Sequence, residues 1–143
     1  MGPIVVEFEV AATPRHAFEM WTNRTSAWWP RAHTLSQDPD LEVIFEPHDG
    51  GRIFERSTDG SEYPWGEVTL WDPPNRVEYW WHLFFDRDEA TKVSVTFNEV
   101  DAGVHVRLEQ VGFEVLAESV GLDRRNETDR AWNAVVVFYQ EAF

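Results

Sequence analysis

The residues of this sequence best equipped for chemistry are its rings rather than its nucleophiles. There is no cysteine, which excludes disulfide scaffolds, thiolate metal sites and Cys nucleophiles. No Gly-x-Ser-x-Gly elbow occurs, and no Ser or Thr stands beside an obvious base. Of the five histidines, His16 falls off the apolar side of its helix, and His33 and His48 sit in connections. His82 and His105 fall on the outward face of two strands held apart by a third, so the set does not converge on a metal, and neither a metal nor a cofactor is expected. A general acid here would be a carboxyl such as Glu46 or Glu67 raised by an apolar wall. Spacing singles out neither, so no catalytic residue is assigned.

Eight tryptophans in one small chain need a use, and large rings suit either an aromatic-walled cavity or an adhesive surface. Two arginines are the other polar candidates. Pairing the segments 41–47 and 52–57 about Asp49-Gly50 sets Phe45 opposite Phe54 and Val43 opposite Arg56. The face that holds both phenylalanines then also holds Arg52 and Arg56, and an inward guanidinium would need a carboxylate or an anionic ligand, because an unpaired buried charge is costly. The alternative face of this hairpin carries Ile44 and Ile53 with Glu42, Glu46 and Glu55, and the choice between the two stays open.

Elements must exist to hold these groups in place. The 143 residues suffice for one domain, 1–143, with 43% hydrophobic and 15% aromatic residues and a formal charge of −14 from 12 basic and 26 acidic side chains. Such a charge repels phosphate backbones and anionic lipid surfaces, so neither nucleic acid nor membrane is expected as a partner. No apolar run reaches membrane-spanning length and no leader pattern opens the chain, which makes a cytoplasmic location the default expectation.

Pro3–Val10 alternates as a half-buried strand, and Thr13-Pro14 opens a helix with Ala17, Phe18 and Trp21 on its apolar face. A short second helix is expected over 22–31. Three hairpins follow: 41–47 with 52–57 about His48-Asp49-Gly50-Gly51, 63–71 with 76–85 about Asp72-Pro73-Pro74-Asn75, and 92–100 with 104–110 about Asp101-Ala102-Gly103. Gly50-Gly51 leads into a strand, so it is a turn and not a phosphate loop. The stretch 112–127 has no clear pattern. Thr128 then caps a final helix whose Trp132, Val135, Val136, Tyr139 and Phe143 share one face. The class is α+β, with a helix covering one face of a curved antiparallel sheet.

In that order, Ala-Thr-Pro-Arg-His-Ala-Phe (12–18), Trp-Thr (21–22), Trp-Trp-Pro (28–30), Gly-Gly-Arg (50–52), Gly-Glu-Val (66–68), Asp-Pro-Pro (72–74), Gly-Phe (112–113) and Trp132 resemble the Hsp90-ATPase-activator-homologue-like branch of the START-like superfamily, the helix-grip fold. The resemblance spans nearly the whole chain. It implies a seven-stranded antiparallel sheet wrapped around a long C-terminal helix, two short helices after the first strand, and a cavity between sheet and helix. Relatives in that superfamily bind lipids, hormones or polyketides, some catalyse cyclisation, and the namesake stimulates a chaperone ATPase. Many carry His where this chain has Gln110.

Alternation places Val68, Leu70, Val77, Tyr79, Trp81, Val93, Val95, Phe97, Val104, Val106, Leu108 and Gln110 on the face toward the helix. The expected ligand-binding set is therefore Trp21, Trp28, Trp29, Phe45, Arg52, Phe54, Arg56, Tyr79, Trp81, Phe97, Gln110, Trp132, Val136 and Tyr139. The expected ligand is a small hydrophobic or amphipathic molecule. A cyclase or hydrolase acting in the same cavity and a chaperone-interaction module are the rival expectations. The same alternation sends Trp65, Trp71, Trp80 and Phe84 outward as one patch, through which a two-fold homodimer is expected.

Overall fold

The computed structural model describes residues 2–143. Seven strands, β1 (Ile4–Val10), β2 (Glu42–Phe45), β3 (Arg52–Arg56), β4 (Glu62–Asp72), β5 (Arg76–Trp81), β6 (Thr91–Val100) and β7 (Gly103–Val111), form one antiparallel sheet in the order β1-β7-β6-β5-β4-β3-β2. Every neighbour from β2 to β7 is joined by a hairpin or short connection, and β1 closes the far edge by pairing with β7 from Ile4↔Gln110 to Val10↔Val104. The sheet curls around a long helix, α2 (Glu118–Gln140), with α1 (Pro14–Thr22) inserted after β1. Thr13 caps α1 by accepting from the His16 N–H, and Pro14 supplies a pre-set φ at its first position.

One buried cluster joins the sheet interior to Ala17, Phe18, Met20 and Trp21 of α1 and Trp132, Val135, Val136 and Tyr139 of α2. β6 and β7 show strict alternation, Val93, Val95, Phe97, Val104, Val106 and Leu108 all facing in. No helix among the described residues is long and apolar enough to cross a membrane.

The structure departs from the sequence reading in five places, each with a local cause. The expected helix over 22–31 is two 3-10 turns, Thr25–Ala27 and Arg31–His33, broken by Pro30, which has no N–H to continue a helix. β5 ends at Trp81, and residues 82–90 leave the sheet as a loop with a 3-10 turn at Arg87–Glu89.

α2 begins at Glu118, ten residues before the expected cap at Thr128. In its first turns only Gly121 and Arg124 are buried, so no apolar stripe announces the helix, and Ala117 offers no side-chain cap.

The β2–β3 hairpin pairs Phe45 with Ile53 and Val43 with Glu55, one residue away from the pairing drawn about Asp49-Gly50. A one-residue slip exchanges faces. Phe45, Ile53 and Glu55 turn inward, while Phe54, Arg52 and Arg56 turn outward together.

Two irregularities in β4 complete the list. The register jumps at Ile53/Phe54, where Trp65 is the extra residue, and again between Val68 and Leu70. Each bulge exchanges the faces that follow it. Trp65 is therefore fully buried, and Trp71 pairs with Val77 and meets Phe18 ring to ring at 5.0 Å, while Leu70 pairs with Glu78 instead. The four-ring outer patch expected at Trp65, Trp71, Trp80 and Phe84 does not exist. Only Trp80 and Phe84 stay exposed, and the Lys92 ammonium lies 4.5 Å over the Trp80 ring.

Candidate functional site

Two aromatic regions share the interior, and they differ in how completely they fill. Around Tyr79 and Tyr139 the core is solid. Tyr139 meets Trp21 and Trp28 with ring centroids 5.1 Å apart in both cases, and its hydroxyl donates to the Ala17 carbonyl at 2.7 Å. The Trp21 indole N–H donates to the Tyr79 hydroxyl at 3.2 Å, and Phe45 packs edge-on against Tyr79. Burial holds both phenols above the ordinary tyrosine range, with the Trp21 bond partly opposing this at Tyr79, so both stay neutral and neither serves as a base near neutral pH. Phe97 and Val136 are likewise core, Phe97 meeting Phe18 at 5.4 Å.

Beyond this region lies a pocket of about 300 Å³ between α2, the end of β5 and the loop that follows. Trp29, Trp81 and Trp132 form its aromatic wall, their centroids 5.7 to 5.8 Å apart in each pairing. Strand alternation aims Trp81 inward after Val77 and Tyr79, and the i, i+3, i+4, i+7 face of α2 brings Trp132 to meet it.

Gln110 sits at the end of β7 and fixes this wall from below. It accepts from the Trp132 indole at 2.6 Å and donates to the Thr91 hydroxyl at 2.6 Å. An amide can accept and donate at once without charge, so its two bonds are satisfied at any ordinary pH. Trp29 donates to the His33 carbonyl at 3.0 Å, which ties the Arg31–His33 turn to the pocket rim. His33, Glu127 and Thr128 add polar groups, and Leu83, Phe84 and Phe85 form the outer lip.

Behind Trp29 and Trp81 stands Trp65, 5.2 and 5.7 Å away. Its indole donates at 2.9 Å to Glu55, a carboxylate with no exposed surface. Glu55 also accepts from the Leu35 N–H at 2.6 Å, the Ser36 N–H at 2.9 Å and the Ser36 hydroxyl at 2.7 Å. One buried charge thus pins the segment after His33 to the sheet.

The expected ligand set divides accordingly. Trp29, Trp81, Gln110 and Trp132 line the pocket; Trp21, Trp28, Phe45, Phe97, Tyr79, Val136 and Tyr139 lie in the surrounding core. Phe54, Arg52 and Arg56 are outside it. Arg52 bonds Glu46 and Glu62 on the outer face, Arg56 bonds Glu62, and the Arg52 guanidinium lies 4.3 Å over the Phe54 ring. These arginines hold Glu46 and Glu62 below the usual carboxylate range. A second, larger concavity of about 880 Å³ opens on that outer face beneath the 83–90 loop, with Arg52, Phe54, Trp80, His82 and Arg87 on its walls. His82 is on the outward side, as alternation expects, yet the loop buries it. Asp86, Asp88 and Glu89 form the one metal-sized acidic group among the described residues, on the exposed loop.

The residue that sequence reasoning passed over is Arg124. It lies in the part of α2 that showed no pattern, and no apolar periodicity marks it. Only 6% of its surface is exposed, it borders the pocket, and its Nε and Nη1 are buried without a hydrogen-bond partner among the described residues.

Residues 11–136 match the family model described as activator of Hsp90 ATPase homolog 1-like protein. The chain belongs to this family. Solved structures agree. Protein MLL2253 from Mesorhizobium loti is 19% identical with a TM-score of 0.71, over 98% of this chain and 95% of that one. The solution structure of the Aha1 dimer from Colwellia psychrerythraea is 16% identical with a TM-score of 0.71, over 99% and 96%. Both share the helix-grip fold. Txn09, an anthrahydroquino-gamma-pyrone synthase, is 34% identical with a TM-score of 0.58, over 78% of this chain and 77% of that one. No curated protein matches the chain.

Proposed function

We propose that the chain, acting as one helix-grip domain, binds a small hydrophobic or amphipathic molecule between α2 and the β5 end of the sheet. The observation that carries this reading is the pocket itself: a cleft of about 300 Å³, open on one side, with Trp29, Trp81 and Trp132 as its aromatic wall. A volume of about 300 Å³ is the lower end of small-molecule sites, which are concave and mostly apolar. Three indoles with few polar groups favour a flat, largely apolar ligand of two or three rings.

The neutral dye N-phenyl-1-naphthylamine tests it. Binding should raise dye emission and quench tryptophan emission, since two of the wall indoles flank the cavity on facing elements. Ala131 borders the pocket on α2, so Ala131→Trp should fill it and abolish binding while the melting temperature holds. Undiminished binding by that variant would show the dye sits elsewhere and would remove the pocket from the reading.

A second reading has one specific support, the 34% identity to a pyrone synthase. In it the same pocket folds a ring-forming substrate, and His33 and Glu127, which border it, are the groups positioned to move a proton. His33→Asn and Glu127→Gln, each tested for turnover and for dye binding, separate the two readings: loss of turnover with retained binding supports an enzyme.

A further inference from the structure

Charge in this chain is almost everywhere neutralised or solvated, with one exception. Arg52, Arg56, Arg76, Arg107 and Arg125 each hold a carboxylate partner, and Arg31 donates to three backbone carbonyls. Arg24 and Arg130 are exposed to water. Arg124 alone is buried with two nitrogens that meet no acceptor among the described residues. Burying a guanidinium without a partner is among the costlier arrangements a fold contains. Nothing in the packing of α2 demands it, because a Met or Leu would fill the same space without that cost.

Two features hold the group in place. The Phe85 ring lies with its centroid 3.5 Å from the guanidinium carbon, a cation–π contact that covers one face of the plane. Arg124 also stands on the same side of α2 as Thr128, Ala131 and Trp132, one turn apart along the pocket. Burial draws the guanidinium below the usual arginine range, and the charge of Glu89 only partly offsets this, yet arginine remains a cation at any working pH.

We propose that Arg124 is the anion receptor of the pocket, and that the ligand is a flat aromatic molecule carrying one acidic group, its rings against Trp29, Trp81 and Trp132 and its anion at the guanidinium. This rests on the reading of the pocket as a ligand site. The anion supplies the hydrogen-bond acceptors that the described residues do not, and the chain's overall charge of −14 makes such a local cation selective rather than generally attractive to anions.

The test uses two dyes that differ by one group: 1-anilinonaphthalene-8-sulfonate, and N-phenyl-1-naphthylamine, which lacks the sulfonate. Affinities are measured at physiological ionic strength for wild type, Arg124→Met, Arg124→Lys and, as a control on net charge, Arg107→Met on the outer face. Wild type and Arg107→Met should favour the sulfonate by roughly 10- to 100-fold, the range of one hydrogen bond to a charged group. Arg124→Met should lose that preference while keeping the neutral dye, and Arg124→Lys should retain part of it. Should Arg124→Met fail to fold, Arg124→Gln, which keeps donors and drops the charge, serves the same comparison. Equal affinities in wild type, or a preference that survives Arg124→Met, overturns the receptor and leaves the pocket reading standing. Failure of both dyes to bind overturns the pocket reading, and the receptor with it.

Discussion

Replacing Glu55 with Gln isolates what a single buried charge does for the site. The side chain keeps its volume, so no cavity opens, and only the electrostatics and one acceptor change. In the wild type Oε1 accepts from the Leu35 N–H and the Trp65 indole, and Oε2 accepts from the Ser36 N–H and hydroxyl. A glutamine must turn its NH₂ toward one of these pairs. The less costly orientation is toward Ser36, whose hydroxyl can rotate to accept, but the Ser36 N–H then faces another donor. One charge-assisted bond is lost outright and the other three become neutral. A hydrogen bond to a charged group contributes about 1.5 to 3 kcal/mol, which places Glu55→Gln at about 2 to 3 kcal/mol of destabilisation.

For a chain of this length that corresponds to a fall in Tm of roughly 6 to 10 °C, with the urea m-value unchanged because the fold is the same. Hydrogen exchange locates the effect: the Leu35 and Ser36 amides should lose protection before the β6–β7 core does. Because the 33–36 segment carries the rim of the pocket, dye affinity should fall with it while the sheet stays intact. A Tm within about 2 °C of wild type, together with unchanged protection at Leu35 and Ser36, would refute the claim that this carboxylate anchors the segment.

Two further outcomes follow from the interior. Trp132→Ala should cost about 3 to 5 kcal/mol by chemical denaturation, since it removes a ring in contact with Trp21, Trp29 and Trp81 and strands the Gln110 carbonyl; a cost below 1 kcal/mol would show that α2 is not sealed by this ring. Tyr79 and Tyr139 have folded pKa values raised above the unfolded one, so their contribution is fully present below about pH 10 and is lost as pH rises through the folded values, at up to about 1.4 kcal/mol per pH unit for each. Absorbance at 295 nm should therefore show these two phenols ionising only as the protein unfolds, and Phe at both positions should flatten the alkaline decline; smooth ionisation in the native state would contradict their burial.

The order of elements was legible because local signals agreed. Alternation in β6 and β7, Pro and Gly in the turns, and the Trp132–Tyr139 face of α2 each point to one structure. What failed to show were deviations of a single residue. The β2–β3 turn offers Asp49-Gly50 as a tight corner, but the chain uses a wider connection in which Gly51 sits so close to the Glu46 carbonyl that a Cβ would lie 2.3 Å from it. That one residue reverses Phe54, Arg52 and Arg56. In β4 the bulge at Trp65 sits beside Gly66, where a Cβ would lie 2.0 Å from the Trp80 carbonyl. A glycine inside a strand is the signal that could have warned of it. With Trp65 turned in, the pocket gains a backing ring and the dimer patch disappears. The start of α2 left no trace because its first turns spend their inward positions on Gly121 and Arg124 rather than on apolar residues.

Two buried charged residues, Glu55 and Arg124, separate scaffold from site. Both are at least nine-tenths buried, and a pattern that sorts residues by polarity sends both to the surface. Their partners differ. Glu55 draws all its donors from its own chain, from Leu35, Ser36 and Trp65, and so is complete in the unliganded protein; its role is to hold the wall behind Trp29 and Trp81 in one position. Arg124 has an aromatic face against it and two buried N–H groups without an acceptor at the border of the pocket, and so is complete only when something else arrives. A fold that satisfies one buried ion with four hydrogen bonds has the means to satisfy another. That it leaves Arg124 without a hydrogen-bond partner, at the edge of the pocket, is the arrangement expected of a recognition group rather than of a packing residue.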